Sequence, residues 1–182
     1  SRYTCNAEKL GAFIKKTTLI YGVAILLYIP INVYNGYFKM DNLLPNIIKD
    51  IVFDGTLYHL WYLPASMAGI VIADLLIRKL GYGRGFAAAA ALYTIGLFGD
   101  SYYGIAEKIP AVEGFYNLIF QVSDYTRNGI FMAPVFMIMG GFISDMRGRV
   151  SFPKACTGMI LSLVLMFGEA MVLHQNGLQR HD

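Results

Sequence analysis

Five apolar runs, each near the length that crosses a lipid bilayer, constrain this chain more than any other feature. A hydrocarbon core about 30 Å thick takes about 20 helical residues to span. The first run covers about Phe13 to Tyr34, with Lys15 and Lys16 at its start and Pro30 inside it. The second, about Leu57 to Ile77, stops at Arg78-Lys79. The third runs from Gly85 through the alanine tract Ala87–Ala91 and ends between Asp100 and Ile105. The fourth, about Gly129 to Ser144, is shorter and holds Gly140-Gly141, small residues that let helices approach closely. The fifth, about Ala155 to Leu173, begins behind Pro153-Lys154. None shows the strict alternation of a barrel strand, so the runs predict helices. The expected fold is all-α: a polytopic transmembrane helix bundle of about five spans, with residues 1–182 forming a single transmembrane domain. Composition agrees. Of 182 residues 56% are hydrophobic and 15% charged, against roughly 25% charged in an ordinary soluble domain.

The placement of basic residues sets an expected orientation, because cytoplasmic loops carry the excess of Lys and Arg. The N-terminal segment and the loops after the second and fourth runs hold Arg2, Lys9, Lys15, Lys16, Arg78, Lys79, Arg84, Arg147, Arg149 and Lys154, ten of the fifteen. The opposite side holds Lys39, Lys49, Lys108, Arg127 and Arg180. The N-terminus is therefore expected in the cytoplasm and the C-terminus outside. Cys5 and Cys156 fall on the cytoplasmic side, where thiols stay reduced. Ser1 stands where an initiator Met would, nothing resembles a cleaved signal peptide, and the fifth run closes just before Arg180-His181-Asp182. These ends predict an internal piece of a larger membrane protein. Two external stretches are longer than turns. Residues 35–55 contain Asn46–Phe53, an interfacial helix candidate, and residues 106–128 contain Phe115–Val122, an apolar run expected on the membrane surface.

Ionisable groups inside spans are costly and become functional candidates by default. Glu169 stands out: about fourteen residues into the fifth run, it lies ~21 Å along the helix. Asp74 in the second run stands four residues before Arg78, the spacing of an ordinary helix ion pair. His59 opens the second run in Tyr58-His59-Leu60-Trp61-Tyr62-Leu63-Pro64. An aromatic interfacial belt accounts for that block, and so does a histidine base or ligand contact working near neutral pH. Arg127-Asn128 immediately precedes the fourth run, where a cation opposes the helix dipole, so Asp124 or a bound anion is expected to hold it. Drawn on the expected topology, His59 and Trp61, Asp100 with Tyr102 and Tyr103, Arg127, Glu169 and Arg180-His181-Asp182 all lie at the outer end. They predict an outer-leaflet polar site, whose rival is that polar residues simply mark helix ends. The cytoplasmic basic residues suit a coenzyme A phosphate, although topology explains them unaided. Gly81-Tyr82-Gly83-Arg84-Gly85 lacks the strand-to-helix setting of a nucleotide fingerprint and reads as a tight turn. Three dispersed histidines and two cysteines make no metal cluster. No nucleic-acid motif and no serine nucleophile elbow is present.

Tyr58-His59-Leu60-Trp61-Tyr62-Leu63-Pro64-Ala65, Thr126-Arg127-Asn128-Gly129-Ile130-Phe131 and Arg180-His181-Asp182, in this order and spacing, resemble the acyltransferase-three family of bacterial multi-span membrane acyltransferases. Within it the chain is most similar to the membrane domain of the membrane-bound serine racemases of vancomycin resistance. The resemblance covers nearly the whole chain and implies about ten spans in a complete domain, of which these five are about half. It implies acyl transfer, often of acetyl from a cytoplasmic coenzyme A thioester, to extracytoplasmic hydroxyls of sugars or envelope polymers. The relatives fused to a racemase are instead associated with supplying serine across the membrane. The family's catalytic histidine belongs to a first span absent from this sequence, so the isolated fragment is expected to be inactive.

Two function classes follow. In acyl transfer, His59 and Glu169 are the catalytic candidates, with acyl-coenzyme A as co-substrate and no covalently bound cofactor. In serine binding or translocation, Arg127 takes a carboxylate and Glu169 an ammonium. Trp61, Arg127, Asn128, Arg180, His181 and Asp182 are the substrate-binding candidates in either case. Expected partners are the bilayer, a small-molecule or envelope-sugar acceptor or serine, and the rest of the same membrane domain.

Overall fold

The computed structural model describes residues 7–39, 43–55, 60–145 and 151–176. Among these every regular element is helical, and each of the five apolar runs forms a helix. Helix α1 (Ala7–Tyr34) is followed by a 3-10 turn, Tyr37–Lys39, then by α2 (Leu43–Lys49), which runs on into a π-helical turn, Asp50–Asp54. A 37-residue helical stretch, Tyr62–Phe98, is broken at Gly81, whose φ of 76° and ψ of 171° are not helical. It therefore comprises α3 (62–80) and α4 (82–98). The break is the tight turn expected there, at a residue with no Cβ to clash at positive φ. A single turn, Tyr103–Ala106, precedes α5 (Pro110–Phe120), and α6 (Ala133–Asp145) and α7 (Phe152–Asn176) complete the chain.

Boundaries differ from the apolar runs for physical reasons. Helix α1 starts six residues before Phe13, because hydropathy marks where hydrocarbon contact begins while lysine is a good helix former. Helix α6 starts at Ala133, four residues after Gly129, because residues 123–132 are committed to a buried non-helical path. The beginning of the second run, with His59, lies outside the described residues.

Packing is built on small residues. Ala73 and Ile77 of α3, Ala89 of α4, and Val135 and Ile138 of α6 form the core cluster. A Cβ on Gly85 of α4 would lie 3.2 Å from the Leu76 carbonyl of α3, and one on Gly69 of α3 would collide with Ala133 of α6. Such contacts let helix backbones approach closely. Helix α1 turns polar groups inward: Thr17, Tyr21 and Asn32 are buried while Leu19, Leu26, Leu27 and Val33 are exposed. Thr18 Oγ1 donates to Met67 Sδ of α3 (3.2 Å), and Tyr21 OH to the Ile51 carbonyl (3.1 Å). Helices α1 and α7 are long and apolar enough to cross a membrane, and only 6% of the most apolar stretch of α7 is buried. That is the reverse of a soluble core helix, which hides its apolar face from solvent.

Candidate functional site

Polar groups gather where α1, α3, α4, α6 and α7 begin or end on the same side. The organising element is the segment between α5 and α6. Its Ser123, Thr126 and Asn128 are 2%, 0% and 1% exposed, so each needs internal partners. Thr126 Oγ1 donates to the Gly96 carbonyl of α4 at 2.7 Å. Asn128 Nδ2 donates to the Tyr125 carbonyl (3.0 Å) and to Ser123 Oγ (3.3 Å). Its Oδ1 accepts from the backbone N–H groups of Ile130 (2.9 Å) and Phe131 (3.2 Å), the pattern of a helix N-cap. Its carbonyl accepts from Met132 and Ala133, leading the chain into α6. Gly129 fits against α3: a Cβ there would sit 2.5 Å from Ala68 Cβ and 2.9 Å from the Ala65 carbonyl.

This packing leaves a narrow cleft of about 20 Å³ lined by Tyr93, Gly96, Leu97, Asp100, Ser101, Thr126, Arg127 and Met132. That is room for a water rather than a metabolite. Arg127 and Asp100 nonetheless line it together with three hydroxyl-bearing residues, Tyr93, Ser101 and Thr126. Arg127 is half-buried, and its guanidinium lies 4.7 Å from the Tyr125 ring centroid, a cation–π stacking distance.

A second polar network flanks the cleft. Lys49 is ion-paired to Asp124, which joins the end of α2 to the segment before α6. Tyr37 donates to Asp50. Burial raises the Asp50 carboxyl above its ordinary range and nearby Asp124 adds to this, against the lowering pull of the Tyr37 bond and Lys49. Burial, then the Asp50 bond, likewise raise the Tyr37 phenol. On the far flank Tyr102 donates to Glu169 of α7, a bond that, with burial, raises the Tyr102 phenol. Tyr103, Tyr116 and Phe120 pack as an aromatic cluster under α5, with Tyr116 OH bonded to the Ile95 carbonyl at 2.8 Å.

The residues expected from the sequence divide accordingly. Arg127 lines the cleft. Asn128 is beside it but buried, its amide used by its own segment. Trp61 opens α3 half-buried, packed against Gly55, and is not among the described cleft residues. Glu169 is exposed on α7 and bonded by Tyr102, at the end of the helices that carries the cleft. His59, Arg180, His181 and Asp182 lie outside the described residues. Asp74 is buried and bonded by Arg78 at 2.7 Å, the i,i+4 pair its spacing predicts. Sequence reasoning missed Tyr93, Ser101 and the Tyr37–Asp50 and Lys49–Asp124 pairs. Only the last had a signal, the opposite charges in the two long outer stretches. No group of three His, Cys, Asp or Glu residues among those described is placed to hold a metal ion.

A family model described as an acyltransferase domain matches residues 7–179. Among curated proteins, the chain is 67% identical over its full length to an amino-acid racemase of Enterococcus faecalis, covering 26% of that protein. It is 36% identical to a second amino-acid racemase of the same organism and 34% identical to a serine/alanine racemase of Enterococcus gallinarum. Each of these alignments takes in 97% of this chain and 25% of the relative. The chain thus spans about a quarter of the length of the curated relatives it matches. No solved structure matches it.

Proposed function

We propose that this chain, which belongs to the acyltransferase-three family, is part of a multi-pass domain in the bacterial cytoplasmic membrane that binds a small amino acid, serine foremost, at its outer end and supplies it to a racemase. The observation that carries this reading is the cleft itself. Arg127 and Asp100 line one narrow opening, flanked by the hydroxyls of Ser101, Thr126 and Tyr93. A zwitterion needs those two charges: a guanidinium pairs with carboxylate in a fixed fork, and a carboxylate accepts an ammonium. Hydroxyls lining the same opening suit a hydroxyl-bearing side chain. The names of the relatives, amino-acid racemase and serine/alanine racemase, agree with a substrate of this class. Glu169, bonded to Tyr102, takes the place of an outer support rather than the ammonium contact. Asn128 and Trp61 border the same end, and Arg180, His181 and Asp182 lie outside the described residues. Because the cleft holds about one water, entry of serine requires the cleft to widen.

Family membership favours a second reading, acyl transfer. His59 and Glu169 would then be the base and its partner, an extracytoplasmic hydroxyl the acceptor, and an acyl-coenzyme A the co-substrate, its phosphates met by the basic residues at the opposite end of the helices. A base there lowers the barrier by removing the acceptor proton as the carbonyl is attacked.

One experiment separates the two. The full-length protein, reconstituted in liposomes, is given labelled serine and, separately, acetyl-labelled coenzyme A thioester. Saturable serine uptake that Arg127→Gln and Asp100→Asn each weaken strongly but measurably is the expected result. Transfer of acetyl label with no serine uptake would overturn the first reading in favour of the second.

A further inference from the structure

We propose that Asn128 is a positioning residue, not a ligand group, and that its task is to hold Arg127 at the cleft; the proposal rests on the reading of Arg127 as a carboxylate contact. An amide side chain offers two donors and two acceptor lone pairs. All of Asn128's polar capacity is taken within residues 123–131, by Ser123, Tyr125, Ile130 and Phe131. It is 1% exposed, so it presents nothing to a ligand. What those bonds do is close a loop around Arg127. They fix the carbonyl two residues before it and the backbone N–H groups three and four residues after it.

Two further anchors bracket the same residue. Thr126, fully buried, ties the preceding position to Gly96 of α4. Gly129, two positions on, lies so close to Ala65 and Ala68 that α3 leaves no room for a side chain. The backbone of Arg127 is therefore held between α3, α4 and the start of α6. An arginine has several rotatable bonds, and fixing its root reduces the ordering that binding must supply. A site on an irregular segment needs such support to hold its geometry. Within the irregular segment Asn128 takes the Tyr125 carbonyl and the N–H groups of Ile130 and Phe131, while Thr126 ties the segment to α4.

The test uses the full-length protein in liposomes and measures uptake of labelled serine against its concentration. Asn128→Ala should raise the apparent KM by roughly ten-fold or more, the scale of effect expected from a misplaced contact, with the maximal rate largely kept. Asn128→Ser, whose hydroxyl still caps Ile130 and Phe131, should recover most of that affinity. In combination with Arg127→Gln, Asn128→Ala should add nothing, because it acts through a group already removed. Additive losses would make Asn128 a direct contact and overturn the proposal. A lower maximal rate and protein yield at unchanged KM would reduce it to a folding role. If Arg127→Gln leaves serine uptake unaltered, the serine reading fails, and the positioning claim is decided by chemistry alone. The rate at which Arg127→Cys reacts with an external charged thiol reagent should change several-fold when Asn128→Ala is added. An unchanged rate overturns it.

Discussion

At the scale of single residues, the outer end is governed by contacts that residue type alone does not reveal. Gly129 and Gly114 are both glycines in helix-flanking or helical sequence, yet their surroundings are opposite. A Cβ on Gly129 would meet Ala68 at 2.5 Å, while one on Gly114 of α5 would meet nothing within 4 Å. Gly129→Ala should thus cost about 1–3 kcal/mol through overpacking. Gly114→Ala should be neutral or stabilise by up to about 1 kcal/mol, by helix propensity. Thermal unfolding of the detergent-solubilised protein checks both. Asp50 yields a prediction with a sign. Its carboxyl is raised in the fold, so the folded state holds its proton more tightly than the unfolded chain. The stability that follows is present in full below the ordinary carboxylate value and is lost as pH rises through the raised one. Between about pH 7 and about pH 4, the parent should gain stability on acidification relative to Asp50→Asn, whose curve lacks this component. Equal pH slopes would show Asp50 to be uncoupled from the fold. The sequence made Asn128 legible as a polar residue before a helix, but not which role it plays. An N-cap and a ligand contact call for the same amide, and only burial tells them apart.

At the scale of elements, all five helices were legible because an apolar run of bilayer length has few alternatives to a helix. Less legible was where α6 begins. Thirteen residues span about 20 Å, short of the about 30 Å of hydrocarbon. The apolar letters of Gly129–Met132 made up the difference on paper. In the fold they belong to an irregular stretch in which Asn128 Oδ1 takes the N–H groups of Ile130 and Phe131, and non-helical backbone in a membrane protein is tolerated where its polar groups are satisfied internally. The position of α7 was not legible either. An apolar helix exposed on nearly all sides has no packing pattern to read, and the Tyr102–Glu169 bond is a polar tie that holds it to the rest of the fold. Tyr102→Phe and Glu169→Gln should each weaken attachment of α7 by about 0.6 kcal/mol and at most about 1.7, the range for such bonds between membrane helices. The double variant should lose no more than either single one. Steric-trap or thermal unfolding measurements on the three variants test this, and additive losses would mean that the two side chains act apart.

At the scale of the whole molecule, exposure and charge point the same way. The accessible surface is 12060 Å² for a mass of 20.3 kDa, against roughly 8,800 Å² for a compact soluble protein of that mass. Much of the excess is apolar side chain on α1 and α7, which hydrocarbon or further helices of the same protein would cover. The proposed orientation rests on the ten-to-five division of Lys and Arg in the sequence, and the described residues show part of that division. Arg78 and Lys79 close α3 and Arg84 opens α4 around Gly81, at one end of the hairpin. Lys49, Asp124, Tyr102 and Glu169 meet at the other. Each basic residue moved to the wrong side of a cytoplasmic membrane forfeits its favourable interaction with the anionic inner leaflet, about 1 kcal/mol apiece, so the proposed orientation outweighs its inverse. In intact cells, a membrane-impermeant thiol reagent should label Lys108→Cys, which is exposed beside α5. It should label Arg84→Cys, exposed at the hairpin turn, only after the membrane is opened. Labelling of Arg84→Cys in sealed cells, with Lys108→Cys protected, would invert the topology and place the Arg127 cleft on the cytoplasmic side.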